Sequence, residues 1–499
     1  MNANRKSDES VVPATLANNG AAEAPAESTE ERDSAKRNAA QNALRRTPSR
    51  NKRESRGLHG VREAARKDST PKFTALLHHV NEDCLTEAFF NLKKTAAVGV
   101  DGVTWHEYER NLEANITALH DRIHRGAYRA QPSRRAWIPK PDGRQRPLGI
   151  ASLEDKIVQQ AVLWVLQSIY EQDFLGISYG FRTGRSQHNA LDALSVAITS
   201  KRVNWILDAD IEGFFDAIDH EWLVKFLELR IGDRRILRLI RKWLRAGVSE
   251  DGQWSKTTVG APQGSVISPS LSNVFLHYVF DLWIEWWRTH RCRGDVVAVR
   301  YADDFVIGFE HHNEATACLD ELRTRFAKFG LKLHEGKTRL IEFGRYASER
   351  RERRGEGRPD TFDFLGFTHK CAKTRKQGWF TIHRHSMAKR MRATLQAIKA
   401  KLRKRMHRPF GETARWLRRV VQGWLNYHAV PNNSHRIGRF VNEVTRLWLH
   451  VLRRRSQRGR RRWTWARMQR LARRHLPRPR IVHPYPDRRF RARLKGGAV

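Results

Sequence analysis

Between Val296 and Phe309 two β-rich arms meet at Ala302, Asp303 and Asp304. Valine, isoleucine and aromatic residues on both sides of a tight turn predict a hairpin. That hairpin would carry two adjacent carboxylates at the tip of an otherwise apolar element. Like charges so close raise one another's pKa unless something cationic sits between them. A second apolar segment, 203–209, reads as a buried strand ending at Asp210, with Asp216 and Asp219 downstream. If the two strands are neighbours, three carboxylates converge at one sheet end. Oxygen-only ligands of this kind suit Mg²⁺, which keeps some waters and accepts phosphate oxygens. Two such ions can activate a terminal hydroxyl and stabilise a leaving pyrophosphate. The plainer reading of Asp-Asp is a solvated turn, since aspartate favours turns.

The first aromatic residue is Phe73, and few large apolar residues precede it. Such a segment buries too little surface to offset ordering entropy, so residues 1–70 are expected to be a disordered extension. Over 71–375 helices and strands mix, an α+β pattern. Asp219 is expected to cap a helix whose Leu223, Phe226 and Leu227 face inward. Ser268 and Pro269 are expected as N-cap and N1 of the next helix. A helix through Leu319, Leu322, Phe326 and Phe329 should stop at Gly330, with a second hairpin running to Phe343. After about 380 no strand is expected. Helical stripes at Met391, Leu395, Ile398 and Leu402, and from Ile437 to Leu452, mark a helical unit over 380–476. The tail 477–499 reads as basic and irregular.

Charge divides the chain in the same place. Of the net +41, residues 373–499 hold 37 Lys and Arg against three acids, Glu412, Glu443 and Asp487. So cationic a module repels itself unless a polyanion neutralises it. Tryptophans and tyrosines interleave with the arginines (Trp416, Trp424, Tyr427, Trp448, Trp463, Trp465), the combination that base stacking with phosphate contact requires. Nucleic acid is the expected partner. Arg453, Arg454, Arg455, Arg460, Arg461 and Arg462 are the expected phosphate contacts, and charge alone leaves RNA and DNA open. No run of apolar residues is long enough to span a membrane. The four cysteines are far apart and form no CxxC pair, which fits a reducing, cytoplasmic setting.

The order Asp210, then Ala-Pro-Gln-Gly (261–264), then Tyr-Ala-Asp-Asp (301–304), resembles the motifs of reverse transcriptases. Gly99-Val-Asp-Gly-Val-Thr (99–104), the hairpin sequence 137–150, Tyr-Gly-Phe-Arg (179–182), Gly-Lys-Thr (336–338) and Phe-Leu-Gly-Phe (364–367) extend the match collinearly. Gly-Trp-Leu-Asn-Tyr-His (423–428) is similar to the thumb, or maturase, region of group II intron-encoded proteins. The resemblance implies a right-hand polymerase: fingers and palm with an antiparallel palm sheet, then an all-helical basic thumb. It implies an RNA-directed DNA polymerase that extends a primer with dNTPs and binds intron RNA to assist splicing and mobility into DNA. A Cys-rich endonuclease domain found in some members has no counterpart in this sequence, so priming is expected to use other DNA ends. Other bacterial reverse transcriptases, and an RNA-binding splicing factor with a vestigial site, are the alternatives.

Roles follow the same resemblance. Asp210, Asp303 and Asp304, with the carbonyl of Ile211, would hold two Mg²⁺ ions. Lys140 and Arg146 would clamp the incoming triphosphate, Arg146 with bidentate geometry. Gln263 and Gly264 would lie beside the nucleotide. Phe215 would exclude a ribose 2′-hydroxyl, and Lys337 would meet the phosphates.

Overall fold

One hairpin and a pair of short strands make the first sheet. The computed structural model describes residues 51–139, 145–250, 253–255, 259–260, 263–457 and 459–489. Strands β1 (Ser133–Pro139) and β2 (Gln145–Ile150) pair antiparallel, and β4 (Val248–Glu250) and β5 (Gln253–Ser255) continue the sheet in the order β2-β1-β4-β5. The second sheet has the order β6-β7-β3-β8, built from β3 (Trp205–Asp210), β6 (Val296–Tyr301), β7 (Asp304–Phe309) and β8 (Arg339–Glu342). All its pairings are antiparallel.

Alternation along this second sheet sorts its side chains onto two faces, both covered. Leu207, Ala209, Phe305 and Ile307 join the main core with the helices Leu153–Asp173 and Ser268–Leu276. Ile206, Val297, Val299 and Val306 face the other way, against the helix Gln187–Ser200 and the third sheet. That third sheet runs β11-β10-β9, from β9 (Phe362–Phe364), β10 (Phe367–Lys373) and β11 (Phe380–Ser386). Each fully buried residue of this size contributes about 1.5–3 kcal/mol, so the two-sided burial fixes the sheet's register firmly.

The helix His220–Glu228 starts where capping chemistry predicts: Asp219 Oδ1 accepts from the Trp222 N–H at 2.8 Å. The next predicted helix begins at Ser268 itself, with Ile267 as N-cap and Pro269 in the first turn. It passes through a π-helical turn, His277–Asp281, into the helix Leu282–His290. Three expectations need correction. Residues 51–67 form a helix whose Ala65 is buried and whose Leu58 and Val61 pack on the main core, so order begins well before residue 70. Residues 1–50 lie outside the described residues. The segment after Gly330 makes no hairpin of its own; Leu333 bridges to Ile211 and β8 pairs with β3, completing the existing sheet. Strands also persist past 380, because β11 pairs with β10 from Phe380 to Ser386. The change to an all-helical module therefore comes near Met387.

The helices Ala388–Lys404, Phe410–His428, Ser434–Arg453 and Trp465–His475 enclose a separate core that includes Leu402, Leu417, Phe440 and Trp448. Among the described residues, no helix is long and apolar enough to cross a membrane.

Candidate active site

Asp210 is the last residue of β3 and Asp304 the first of β7, and the register sets them directly opposite one another. Asp303 occupies the two-residue turn between β6 and β7 with Ala302. The three carboxylates thus gather at one sheet end. Asp304 reaches solvent, yet protein atoms enclose much of the space around its carboxyl. That enclosure, followed by the charges of Asp303 and Asp210, pushes its carboxyl up to about 7. Asp208, two residues before Asp210 on the same face, is pushed up to about 6, mainly by burial. Arg339 on β8 donates to Asp208 at 3.3 Å and opposes that rise.

Positive charge approaches from two further sides. The Lys337 ammonium forms an ion pair with Asp210 Oδ2. The turn carrying Lys337 is itself tied to the strand end, since the His334 N–H donates to the Asp210 carbonyl at 2.9 Å. Arg390, on the helix Ala388–Lys404, acts electrostatically on Asp304. Three acids that repel and draw cations from three elements form a donor set suited to a hard divalent ion. Among the described residues, no group of three or more His, Cys, Asp or Glu already has the spacing of a metal cage.

Beneath the turn is a buried clamp. Arg300 is 0% exposed, and its guanidinium donates to both oxygens of Asp281 at 2.7 and 2.5 Å. It also donates to Asn273 Oδ1 at 3.0 Å, to Ser178 Oγ at 2.8 Å and to the Ala302 carbonyl at 3.1 Å. Ala302 has φ +57°, a conformation that costs an L-residue about 1–2 kcal/mol. The bond from Arg300 helps to hold it there. Gly180 of the Tyr-Gly-Phe-Arg segment abuts the same turn: a Cβ there would lie 2.3 Å from the Ala302 nitrogen. Glycine is required by that approach.

The first hairpin reaches the site through the loop before the helix Ser268–Leu276. Arg146 Nε donates to Gln263 Oε1 at 3.0 Å, and the Gly149 N–H donates to the Gln263 carbonyl at 2.6 Å. Gly264 has φ +102°, and a Cβ on it would come within 3.1 Å of the Gly149 carbonyl oxygen. Arg146, Gln263 and Gly264 are therefore one contact. Phe215 is half-buried against Phe214, and Gly260 rests against its backbone. Ile211 is buried, with its neighbours bonded to the 332–334 segment. Asp216 is exposed, and Asp219 caps its helix. Lys140 lies outside the described residues.

Comparison with known proteins decides what this assembly belongs to. The family model described as reverse transcriptase (RNA-dependent DNA polymerase) matches residues 138–369. That span takes in β2, the β6-β7 hairpin and all three aspartates. Over that span the chain is similar to reverse transcriptases. The group II intron-encoded protein LtrA of Lactococcus lactis is 37% identical over 207 residues, 41% of this chain and 34% of LtrA. The protein YkfC of Escherichia coli is 36% identical over 237 residues, 42% of this chain and 62% of that protein. A 91 kDa protein in the cob intron of Schizosaccharomyces pombe is 44% identical over 154 residues, 31% of this chain and 19% of its own length. The chain thus spans less than two thirds of the relatives it matches.

Outside the reverse transcriptase domain, the basic module differs from expectation in its aromatics. Trp416, Trp424 and Trp448 are buried in the module's own core, and Tyr427 Oη donates to the Leu365 carbonyl at 2.6 Å. They are structural, because their helical spacing turns them inward. The 423–428 block docks the module on the third sheet, with His428 Nδ1 3.0 Å from Ser386 Oγ. Arg453 donates to the Trp463 carbonyl and Arg455 to the Arg408 carbonyl. Arg454, Arg461 and Arg462 are exposed, and the side chain of Arg460 lies outside the described residues. Sequence reasoning missed Arg300, Asp281, Asp208 and Arg390. A charged residue inside an apolar strand, and an acid inside an apolar helix, were the available signals for the first two.

Proposed function

We propose that this chain is an RNA-directed DNA polymerase of the group II intron type, built as a right hand. The first hairpin and its helices are the fingers, the β6-β7-β3-β8 sheet is the palm and the helical module is the thumb. The observation that carries this reading is the Asp210–Asp304 register beside Asp303 within a reverse transcriptase domain. In this reading Asp210, Asp303 and Asp304, with the carbonyl of Ile211, hold two Mg²⁺ ions. When bound, those ions supply charge to lower the pKa of a primer 3′-hydroxyl and to stabilise pyrophosphate as it leaves.

The chain's own groups do the positioning. Arg146, braced by Gln263, presents its guanidinium to the triphosphate. Gly264 admits the close backbone approach that lets that brace form. Lys140, next after Pro139 in the sequence, would add a second cation. Phe215 lines the floor next to Asp210 and excludes a ribose 2′-hydroxyl. Lys337 sets a positive charge at Asp210, where it meets phosphate oxygens of the nucleotide. Attack of the 3′-oxygen on the α-phosphorus forms one phosphodiester bond and releases pyrophosphate. The exposed arginines of the thumb bind intron RNA, template and primer, and the DNA target is met through the same site. A cytoplasmic setting belongs to this reading; Cys84, Cys292, Cys318 and Cys371 are all unbridged.

The test is primer extension on an RNA template with Mg²⁺ and dNTPs, comparing the parent with Asp303→Ala. The expected outcome is extension that the substitution abolishes while RNA affinity survives. Robust synthesis by Asp303→Ala would remove the metal-site assignment.

A further inference from the structure

The third sheet has one buried face and one that, among the described residues, stays partly open to solvent. Phe367, His369, Ile382, Arg384 and Ser386 are buried. Thr368, Lys370, Thr381, His383 and His385 alternate with them and reach solvent. Cross-strand pairing sets Lys370 opposite His383, and Thr368 opposite His385. The charges acting on His385 come from Lys370, His383 and Arg436, and the one acting on His383 comes from Arg375. Cations therefore crowd this face from β10 (Lys370), the turn after it (Arg375) and the helix Ser434–Arg453 (Arg436). Among the described residues, none of Lys370, Arg375, Lys376 and Arg436 pairs with a carboxylate. An acid, Asp363, marks the opposite end of the face, where Thr368 Oγ1 donates to it at 2.5 Å.

At the tip stands Trp379. It is 66% exposed, although the tryptophans expected to stack on bases are partly or wholly buried. Its turn is built to hold it out. The Thr374 N–H donates to the Trp379 carbonyl at 2.7 Å, the Trp379 N–H to Thr374 Oγ1 at 3.1 Å, and the Gly378 N–H to the Thr374 carbonyl at 3.0 Å. Gly378 supplies the φ of +68° that closes the turn. Leaving an indole in water forfeits a large hydrophobic gain. A rigid turn between Arg375, Lys376 and a cationic sheet face offsets that loss once a planar anionic ligand arrives.

We propose that this face and its turn dock single-stranded RNA, with phosphates on Lys370, Arg375, Lys376 and Arg436 and a base stacked on Trp379. Unpaired nucleotides offer free base faces to an aromatic, which duplex DNA does not. The far end of the face lies toward the active site, with Asp363 near enough to Asp208 to act on it electrostatically. The choice of RNA among polyanions rests on the function proposed above; the surface itself does not.

The experiment uses the full chain and a fluorescein-labelled, unstructured oligoribonucleotide of about 12 nucleotides, followed by anisotropy. Trp379→Ala is expected to weaken binding about tenfold, and Trp379→Phe to restore most of the affinity. Replacing both Arg375 and Lys376 by alanine is expected to reduce the slope of log affinity against log salt by about 1–2. Melting temperatures should match the parent, because Trp379 belongs to no core. Affinity of Trp379→Ala within twofold of the parent overturns the proposal. So does a loss confined to vesicles of phosphatidylserine and phosphatidylcholine, which would make the face a membrane contact. Extension by the parent is read separately. A parent that binds RNA through Trp379 yet extends no primer refutes the polymerase reading and leaves this surface standing.

Discussion

Arg300 is the next-to-last residue of a strand of valine and alanine and is fully buried. An uncompensated guanidinium there would cost several kcal/mol, and Asp281 compensates it. Such a pair is neutral at best for stability compared with apolar residues of the same size. Its other bond, to the Ala302 carbonyl, gives it a use: it sets the turn that carries Asp303. Arg300 is a positioning residue. Arg300→Met alone strands Asp281 and should cost about 3–5 kcal/mol. The double variant Arg300→Met, Asp281→Leu should melt close to the parent, while kcat for primer extension falls on the order of 10²-fold and KM for dNTP changes little. A double variant with parental kcat would show that the turn holds itself. The clue was visible in the sequence, where Asp281 interrupts the apolar run from Phe275 to Trp287. The interruption does not name its partner, because pairing across 19 residues is a tertiary fact.

Among the elements, the third sheet shows how a buried titratable group shapes stability. His369 on β10 is 0% exposed, stacks on Phe362 with ring centres 4.6 Å apart and faces Arg384 across the ladder. Burial, followed by the charge of Arg384, lowers its pKa to about 3. Above its ordinary value near 6.5 it is neutral folded or unfolded. Below that value the unfolded chain takes up a proton that the folded chain refuses, so stability falls as pH drops. Asp208 and Asp304 are raised and act in the opposite sense, so the comparison must be between variants. From pH 7.5 to 5, urea unfolding should cost the parent about 2 kcal/mol more than His369→Phe. Equal losses would mean that the imidazole is protonated in place. Elements with a strong local signal are legible from the residues alone: the hairpin at Asp303 and Asp304, the Asp219 cap, the apolar helical stripes. What escaped was pairing between distant segments. Strand β8 reads as half of a local hairpin but joins β3, and β11 falls in the stretch expected to be helical because His383, Arg384 and His385 break its alternation of apolar residues.

Across the whole molecule the charge asymmetry seen in the sequence acquires a geometry. The cationic helices lock onto the reverse transcriptase domain through the 423–428 block, and the tail beyond Leu476 adds a second fastening. Little of that tail is regular, yet Val482 and His483 both donate backbone N–H groups to the Ala429 carbonyl at 3.0 and 3.2 Å. The His483 ring lies 4.0 Å from that of His188, and Arg489 pairs with Asp192 at 3.0 Å. Asp192, on the helix Gln187–Ser200, is 3% exposed and also holds Arg384 at 2.7 Å. The tail therefore straps the module to the body over a buried carboxylate. Severing one partner of a buried charge pair typically costs about 2–5 kcal/mol of docking energy, and the low end applies here because Arg384 stays. Ending the chain at Leu476 removes several basic residues, so salt dependence alone cannot isolate the strap. Arg489→Ala can. With a heparin trap added after initiation, Arg489→Ala should add its first nucleotide at the parental rate but release shorter cDNA, as the thumb lifts from the body between additions. Product lengths equal to the parent's would show that the 423–428 contacts hold the module unaided, and that the buried Asp192 serves Arg384 alone.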